Sequence, residues 1–308
     1  MDGILNVNKP AGMTSHDVVD FIRRLTGVKK AGHAGTLDPG ATGVLVVCLG
    51  KATRVIRYLL GDKTYRAEVT FGIATTTQDI SGAVVKTADA SFLTEEALLA
   101  ALFSFQGRIE QVPPMVSALR HRGKRLYDLA RKGLEVEREP RPVTVYDLRL
   151  VAVRDLGTPA PAATIELSCS AGTYVRTLCA DLGEKLGCGA AMSSLVRTRA
   201  GAFTLEDSLT LEEIAALNGQ GRLFEVLVDI NGALSHLPAV ELKPAAAEAV
   251  KTGARVYPAG VCGCPEEAAK AQEDRPVRLL SGGRLLAVAR KRKEPGGKEY
   301  FQPETVLC

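Results

Sequence analysis

The chain has 308 residues, of which 46% are hydrophobic and 24% charged, and its net charge is only +4. This composition excludes wholesale disorder, and no apolar run approaches the roughly 18 residues of a membrane span. The first residues lack the basic start and apolar stretch of a secretory signal. Seven scattered cysteines make a poor disulfide framework, so a reducing, cytoplasmic setting is expected. The small net charge does not by itself predict nucleic-acid binding, and any basic footprint must be local.

The first two-thirds of the chain mixes predicted strands and helices without a steady βαβ alternation. Thr14 or Ser15 is expected to cap an early helix, and Lys63–Phe71 alternates strictly, with Tyr65 on its apolar face. Apolar runs and periodicity predict strands at 4–7, 44–49, 143–153 and 164–169, and helices at 52–60, 94–105 and 175–186. This mixture favours an α+β fold with a mixed sheet over a doubly wound parallel sheet.

The pattern of predicted elements changes near residue 230. Short predicted strands at 278–280, 285–289 and 299–302 lie between Gly/Pro turns. We therefore expect two domains, 1–231 and a small β-rich domain at 232–308. Within the second, the basic run Arg290–Lys291–Arg292–Lys293 predicts a solvated loop, with phosphate contact as the alternative.

The most unusual segment is the glycine-rich stretch 32–43, which contains His33 and Asp38. Glycines allow tight turns and a close backbone approach to a ligand, and Pro39 favours an extended backbone at Asp38. The segment leads into an apolar strand that would hold Asp38 at the edge of the core. A surface turn with an ordinary carboxylate is the commoner interpretation of such a composition.

Motifs for a cofactor or a metal are not found. The glycine-rich segments fit neither the phosphate loop nor the dinucleotide-binding pattern. Cys262 and Cys264 lack a second pair at zinc-binding spacing, and the four histidines are far apart in the sequence. No Gly-x-Ser-x-Gly nucleophile elbow is present. The sequence therefore predicts no cofactor and no metal.

Two further segments carry candidate functional residues. Arg176 stands in the first turn of a predicted helix, where the helix dipole disfavours a cation, so it is expected to have an anionic partner unless it is simply solvated. The stretch from Arg120 to Lys132 is the densest basic cluster and includes an aromatic residue, Tyr127. Such a cluster suits contact with a phosphate backbone, although a solvated helix face is equally compatible.

Taken together, these segments resemble the bacterial tRNA pseudouridine synthase B family. The resemblance spans roughly the first two-thirds of the chain, in the family's order, and five ordered motifs are far more specific than one. The matching stretches are GILNVNKPAGMTSHDVV, GHAGTLDPGATGVLVV, KTYRAEVTFGIATTTQDISG, QVPPMVSALRHRGKRLYDLARKG and CSAGTYVRTLCADLGEKLGCGA. The end of the chain resembles the family's small RNA-binding domain of the PUA type.

The resemblance implies an isomerase that converts uridine-55 in the T-loop of tRNA to pseudouridine without a cofactor or metal. Asp38 matches the nucleophile, Arg176 the arginine that pairs with it, and Tyr65 the tyrosine that stacks on the base and assists in removing a proton. The matches to substrate-binding positions are His33, Tyr65, Asp79, Tyr174 and Leu195. Predicted RNA-contact residues are Lys9, Arg120, Arg122, Lys124 and Arg125. Whether Asp38 attacks the base or the sugar stays open at this stage.

The resemblance also implies the architecture. It predicts an α+β catalytic domain with a mixed, mostly antiparallel sheet and flanking helices, an RNA-clasping insertion at about 119–142, and a C-terminal PUA-like β-barrel. A cytoplasmic monomer that needs only the tRNA T-arm, with no membrane and no protein partner, is expected. The alternatives are a pseudouridine synthase with another RNA target, a non-catalytic tRNA-binding or tRNA-folding protein on the same scaffold, and a nucleotide-binding metabolic enzyme, which the missing phosphate motifs disfavour.

Overall fold

The computed structural model describes residues 1–59, 61–117, 119–121, 123–262 and 273–308. Arg122 and Cys264, both named above, lie outside these ranges. The α-helices of the described residues are α1 Ser15–Thr26, α2 Glu95–Phe103, α3 Leu126–Ala130, α4 Val175–Lys185, α5 Leu211–Gly219, α6 Ile230–Ala233 and α7 Pro244–Lys251. Short 3₁₀ helices occupy Gly50–Tyr58, Leu223–Val226 and Pro258–Gly260. In this part of the chain no helix is both long and apolar enough to cross a lipid bilayer.

The strands of the described residues form one large sheet, one smaller sheet and two hairpins. They are β1 Gly3–Lys9, β2 Ala31–Ala34, β3 Thr42–Leu49, β4 Lys63–Phe71, β5 Ile73–Thr75, β6 Val84–Thr87, β7 Gly107–Gln111, β8 Arg120–His121, β9 Lys124–Arg125, β10 Arg141–Arg154, β11 Ala162–Cys169, β12 Ala190–Ala200, β13 Phe203–Thr204, β14 Ala239–Glu241, β15 Pro276–Ser281, β16 Arg284–Lys293 and β17 Glu299–Val306. The large sheet has the order β1-β3-β12-β4-β11-β10-β7, with β2 paired to β3 and β13 to β12. Only the β3–β12 pairing in it is parallel, which confirms the α+β class with a mixed, mostly antiparallel sheet.

Local sequence signals explain several of these elements. Thr14 caps α1 and forms a reciprocal capping box with Asp17, and Gly27 ends the helix with φ 68°. The alternation predicted for β4 is observed, since its odd-numbered residues from Lys63 to Phe71 are all buried. The segment predicted as a helix at 52–60 is instead a 3₁₀ helix at Gly50–Tyr58.

Strand β12 was not predicted from the sequence, although it lies at the centre of the large sheet between β3 and β4. It contains Arg197 and Arg199 among small and apolar residues, and this pattern does not indicate a buried strand. Nevertheless Leu195 is 7% exposed and Arg197 is fully buried. Polar partners at this position, described below, override the usual preference of arginine for the surface.

The C-terminal region contains a four-stranded sheet in the order β14-β15-β16-β17. Its two edges are each bridged to the segment 256–262, by Val256 opposite Phe301 and by Val261 opposite Leu242. The basic run 290–293 belongs to β16, so its expected loop conformation is wrong. Lys291 is buried there and pairs with Glu299 at 2.9 Å. Leu285, Val288 and Leu307 pack with residues of β1 and β3 in one hydrophobic cluster, so this sheet contacts the first part of the chain.

Gly43 lies opposite Arg197 where β3 pairs with β12. It has φ +96°, and a Cβ atom there would overlap the backbone carbonyl of Arg197. We expect Gly43→Ala to lower the free energy of unfolding by about 2–4 kcal/mol, because it combines a strained backbone with overpacking. Chemical denaturation measures this loss. Gly133→Ala is the control: it also has positive φ (+68°), but a Cβ added there would meet no atom within 4 Å, and an equal loss in both variants would contradict the close-approach explanation.

Candidate active site

Asp38 lies in the loop between β2 and β3, and its neighbours on both sides are fixed by α1 and the turn before it. The Ser15 hydroxyl accepts a hydrogen bond from the Leu37 amide at 2.8 Å and donates to the Leu37 carbonyl at 3.1 Å. The Gly12 amide donates to the Pro39 carbonyl at 2.9 Å. Leu37 is buried, whereas the Asp38 side chain is 38% exposed. The loop therefore holds a rigid carboxylate that is accessible from the surface.

Arg176, near the start of α4, holds this carboxylate with two nitrogens. Its Nε lies 2.9 Å from Asp38 Oδ2, and its Nη2 donates to Asp38 Oδ1 at 3.2 Å. The remaining donors reach the carbonyls of Thr77 at 3.2 Å and Val116 at 2.9 Å. The arginine side chain is only 4% exposed. The anionic partner expected for a cation in the first turn of a helix is thus present.

Asp79 lies on the other side of the same guanidinium. Its Oδ2 is 3.4 Å from Arg176 Nη1, and its Oδ1 accepts hydrogen bonds from the Thr77 hydroxyl at 2.7 Å and the Ser81 amide at 3.0 Å. The loop between β5 and β6 that carries it is joined to β12 by backbone hydrogen bonds with Met192. Arg176 therefore bridges two carboxylates that come from separate loops.

The electrostatic surroundings of Asp38 act in both directions. Burial raises the pKa of its carboxyl above the ordinary value; Arg176 acts to lower it, Asp79 to raise it and Lys9 to lower it. The net direction is upward. A carboxylate that is partly desolvated yet ionised is a better nucleophile than one in water, provided that a neighbouring cation keeps it charged.

The raised pKa of Asp38 predicts a pH dependence of activity. A group whose pKa is raised takes up its proton at a higher pH than a free carboxyl, so single-turnover rates should fall on the acid side through that raised pKa. Because the charge of Asp79 raises the pKa of Asp38, Asp79→Asn should move this acid limb to lower pH. Rates measured between pH 4 and 8 test the shift, and an acid limb that stays in place or moves to higher pH would contradict it.

Tyr65 and Leu195 lie beside this cluster on adjacent strands of the sheet. Both are buried and belong to one hydrophobic cluster with Leu37 and Val175. Tyr174 is the residue before α4, and its backbone is fixed by the Gln111 side chain, which donates to its carbonyl at 3.2 Å and accepts from its amide at 3.0 Å. Burial raises the pKa of Tyr174, and Ser117 and Arg176 act to lower it. The structure thus groups these residues around Asp38 and Arg176.

His33 lies on β2, on the strand that precedes the Asp38 loop. Its Nδ1 is buried without a hydrogen-bond partner among the described residues. Burial lowers the pKa of this histidine, and the charges of Arg197 and His16 act in the same direction. A neutral imidazole is therefore favoured at this position. Its predicted contact with RNA stays a prediction.

Lys9 is not placed as an RNA contact. Its side chain is fully buried, and its Nζ donates to the carbonyls of Met13 at 2.6 Å, Pro10 at 2.7 Å and Pro39 at 3.1 Å. Burial lowers its pKa to about 8. Lysine is exposed in most proteins, but here it ties the end of β1 to the residue after Asp38.

The segment predicted to clasp RNA contains the hairpin of β8 and β9 and the short helix α3, between β7 and β10. Arg120 and Arg125 pair in the hairpin of β8 and β9, and Lys124 is exposed. Arg122 lies outside the described residues. A surface cavity of about 630 Å³ is lined by Lys124, Tyr127, Arg131 and Lys132, among others. The lining has three basic residues and one acidic residue, Asp128, and its contact with RNA stays a prediction.

Several residues of the site escaped prediction. Thr177 is buried and donates to the Gln78 side chain at 2.9 Å, which joins α4 to the Asp79 loop. Gln78 has φ 64°, an uncommon conformation for a residue with a side chain. Arg197 on β12 lies opposite Tyr65 on β4. The only sequence signal for Arg197 is its spacing of two residues from Leu195, which places both on one face of a strand.

Among the described residues, no group of three or more His, Cys, Asp or Glu side chains is arranged to hold a metal ion. What the cluster offers instead is an accessible carboxylate, a buried cation that orients it, and a buried phenol nearby. These are the groups needed for nucleophilic attack coupled to proton transfer.

Comparison with known proteins places this chain in a class. The family model of the TruB family pseudouridylate synthase (N-terminal domain) matches residues 23–175, and that of the tRNA pseudouridylate synthase B C-terminal domain matches residues 176–235. One chain of a solved Cbf5–Nop10–Gar1 complex superposes with a TM-score of 0.75 at 28% identity, covering 99% of this chain and 85% of that one. A structure of an H/ACA RNP bound to a substrate RNA gives a TM-score of 0.73 at 27% identity, with coverages of 99% and 85%. The family models and the shared fold define a pseudouridine synthase.

The sequence relatives narrow this class. The tRNA pseudouridine synthase B of Pelotomaculum thermopropionicum is 52% identical, with 100% of this chain and 98% of the relative covered. That of Moorella thermoacetica is 47% identical, with 99% of both covered. The chain therefore belongs to the TruB family, that of tRNA pseudouridine synthase B, and is an isomerase that forms pseudouridine in tRNA.

Proposed function

We propose that this enzyme isomerises uridine-55 in the T-loop of tRNA, with Asp38 as its nucleophile. The observation that carries the proposal is the buried Arg176, which fixes the accessible Asp38 carboxylate at 2.9 Å beside a buried tyrosine. The family membership gives the reaction class, which is pseudouridine formation in tRNA. The geometry supports a candidate for the nucleophile, for the cation that orients it and for the group that removes a proton.

The reaction exchanges bonds without a net change in redox state or in protons. The C1′–N1 bond of uridine breaks, the base turns, and a C1′–C5 bond forms. The hydrogen on C5 leaves as a proton, and N1 gains a proton. No hydride, oxidant or water is consumed, so one nucleophile and a route for protons suffice.

Asp38 supplies the nucleophile in this proposal. Each carboxylate oxygen has two lone pairs, so the hydrogen bonds from Arg176 leave a lone pair on each oxygen for attack. Attack at C1′ of the sugar and attack at C6 of the base are both compatible with an accessible carboxylate. Either route ends with the release of Asp38 once the new C1′–C5 bond is formed.

Arg176 and Asp79 orient this nucleophile. A fork of two hydrogen bonds fixes the plane of the Asp38 carboxylate more firmly than a single contact does. Asp79 holds the opposite edge of the guanidinium and keeps it from turning towards solvent. Together they form a network of one cation and two anions, so the site retains one negative charge for attack.

Tyr65, Leu195 and Tyr174 form the proposed uracil pocket. An aromatic ring offers a stacking surface of low conformational cost, and the deprotonated Tyr65 oxygen can accept the C5 proton directly or through water. A T-loop uridine must leave its stack to enter such a pocket, at a cost of a few kcal/mol. We propose that His33 occupies space beside the vacated position in the RNA.

The remaining parts of the chain have proposed roles in holding the RNA. We propose a catalytic domain at 1–231, with Arg120, Arg122, Lys124 and Arg125 of the segment 119–142 on the T-arm backbone. The domain at 232–308 is proposed as a PUA-like RNA-binding unit. In this proposal the enzyme acts in the cytoplasm as a monomer, with no protein partner, guide RNA or cofactor.

The modified position can be mapped directly. An unmodified tRNA transcript is incubated with the protein alone, treated with a carbodiimide that marks pseudouridine, and read by primer extension. The proposal predicts a single new stop that reports position 55. A transcript with cytidine at this position is the control and should give no stop. Stops at other uridines, with none at 55, would show a different RNA target.

A further inference from the structure

Arg197 is a fully buried cation that the proposed reaction does not yet use. It lies on β12 directly opposite Tyr65 of β4. Facing residues of paired strands project to the same side of a sheet, so the guanidinium and the phenol share one face. This is the face that carries Leu195 and borders the Asp38 loop.

The partners of Arg197 are backbone carbonyls. Its Nε donates to Val44 at 2.7 Å, and its Nη2 donates to Gly35 at 3.0 Å. Its Nη1 is 3.5 Å from the carbonyl of Thr36. Among the described residues no carboxylate lies within ion-pair distance of it. A buried charge without an acidic partner is costly and is retained mainly where it has a specific task.

Arg197 is connected to the reaction centre in two ways, through the loop that carries Asp38 and through Tyr65. Gly35 and Thr36 belong to the loop that presents Asp38, so Arg197 fixes the approach to the nucleophile. On the other end, the groups that face Tyr65 are Arg197 from β12, Cys169 from β11 and Asp38 from the loop. Burial raises the pKa of Tyr65, whereas Arg197 acts to lower it. Arg197 is the cation that opposes the effect of burial on this hydroxyl.

The wider surroundings strengthen this assignment. Lys9, Lys63 and Arg176 are also buried near Asp38 and Arg197. The two lysines have lowered pKa values, with burial as the largest cause. Arginine keeps its charge under conditions in which a buried lysine loses it. Arg197 is therefore the group near Tyr65 that stays positively charged even where the buried lysines lose their protons.

We propose that Arg197 is a positioning residue that acts through Tyr65: its buried guanidinium holds the Gly35–Thr36 backbone and stabilises the negative charge of the Tyr65 oxygen, so that this oxygen can take the proton from C5. The proposal rests on the proposed function, in which Tyr65 assists proton removal. The C5–H bond breaks, its electron pair restores the pyrimidine ring, and the proton joins the Tyr65 oxygen or a water bound to it. The oxygen later returns the proton to solvent, and N1 is protonated from solvent.

Two substitutions separate charge from packing. Arg197→Gln removes the charge but keeps an amide that can donate to a carbonyl, whereas Arg197→Lys keeps a basic group that restores the charge in part. Arg199→Gln is the matched control, because Arg199 lies two residues further on β12 but contacts Thr64 at 3.2 Å on the other face. A fluorinated tyrosine of lower intrinsic pKa, placed at position 65, is titrated by fluorine NMR in each full-length variant. Tritium release from a C5-labelled T-arm RNA is then measured under single-turnover conditions.

We expect Arg197→Gln to raise the pKa of the residue at position 65 and to slow tritium release about 10- to 100-fold, with RNA affinity unchanged. Arg197→Lys should restore part of both properties, and Arg199→Gln should behave like the wild type. An unchanged titration in folded Arg197→Gln, or equal slowing by Lys and Gln, would overturn the proposal. If Arg197→Gln does not fold, Arg197→Lys is compared in two backgrounds. It should slow tritium release when Tyr65 is present but not when Tyr65 is replaced by Phe. Equal slowing in both backgrounds would overturn the proposal.

This design also separates the inference from the proposed function. The NMR titration needs no RNA, so it measures the coupling between Arg197 and Tyr65 directly. A wild type that shows the coupling but releases no tritium would contradict the proposed reaction on this RNA. If the wild type releases tritium but the pKa measured at position 65 does not change when residue 197 is substituted, only the role of Arg197 is contradicted.

Discussion

Asp38→Asn is expected to lower the rate of tritium release from C5-labelled T-arm RNA by at least about 10³-fold, as loss of a nucleophile does in other enzymes. The amide is nearly the same size as the carboxylate and can still accept one hydrogen bond from Arg176. It cannot attack carbon, because its nitrogen lone pair is delocalised. Affinity for the RNA should change little, since one neutralised carboxylate in the pocket makes no RNA-backbone contact.

Asp17→Asn serves as the control for this prediction. Asp17 lies on the exposed N-terminal turn of α1, where it accepts from the Thr14 amide at 2.8 Å in the capping box. This variant also loses a carboxylate and some helix stability, but should release tritium at the wild-type rate. If Asp38→Asn retained a comparable rate, another carboxylate would be the nucleophile, and Asp79 would be the first to test.

Arg176→Met is expected to affect both stability and activity. Removing one partner of a buried charge cluster leaves Asp38 and Asp79 facing each other without a cation, and such losses cost about 3–5 kcal/mol. The pKa of Asp38 should rise further, because Arg176 is the strongest influence that lowers it. Activity should therefore fall at neutral pH and recover partly as the pH increases. Denaturant melts and single-turnover rates at several pH values measure the two effects.

Arg66→Met is a matched control for this substitution. Arg66 is on β4, one residue from Tyr65, and forms an ion pair with Glu166 at 2.6 Å. Its side chain is 56% exposed, so solvent screens the pair and its loss should change stability by less than about 1 kcal/mol. Equal destabilisation by Arg66→Met and Arg176→Met would show that the burial of Arg176 does not set the strength of its interactions.

Elements with clear periodicity were predictable from the sequence alone. The alternation of β4 and the cap of α1 are local signals that depend on residues a few positions apart, and both are confirmed. The α+β class and the family follow from ordered motifs. The 3₁₀ helix at Gly50–Tyr58 was predicted as an ordinary helix because both share a similar apolar spacing at this length.

The misses at Lys9, Arg197 and the run 290–293 share one physical cause, which is the pairing of charged side chains with groups that lie far away in the sequence. Lys9 and Arg197 are fully buried on carbonyls that come from distant parts of the chain, and Arg197 hides the strand character of β12. A sequence shows which residues are charged, but it does not show which distant carbonyl groups accept their hydrogen bonds in the fold. The run 290–293 was misjudged for the same reason, because Glu299 and Glu304, which pair with it, lie on the neighbouring strand β17.

Arg176 is the exception, and it shows when a buried charge can be predicted. Its position in the first turn of α4 conflicts with the helix dipole, and this local conflict indicated a partner. The identity of Asp38 as that partner followed from the family resemblance, since the two residues lie far apart in the sequence. Asp79 as a second partner of Arg176 became evident only from the structure.

The most direct test of the central claim is tritium release by the wild-type chain from a T-arm stem-loop labelled at C5 of its target uridine, with only RNA, buffer and a chelator present. Formation of the C1′–C5 bond expels this hydrogen, so release reports the isomerisation itself. We expect one tritium released per RNA, with pseudouridine in the recovered product. Tight binding of the RNA without any release would contradict it.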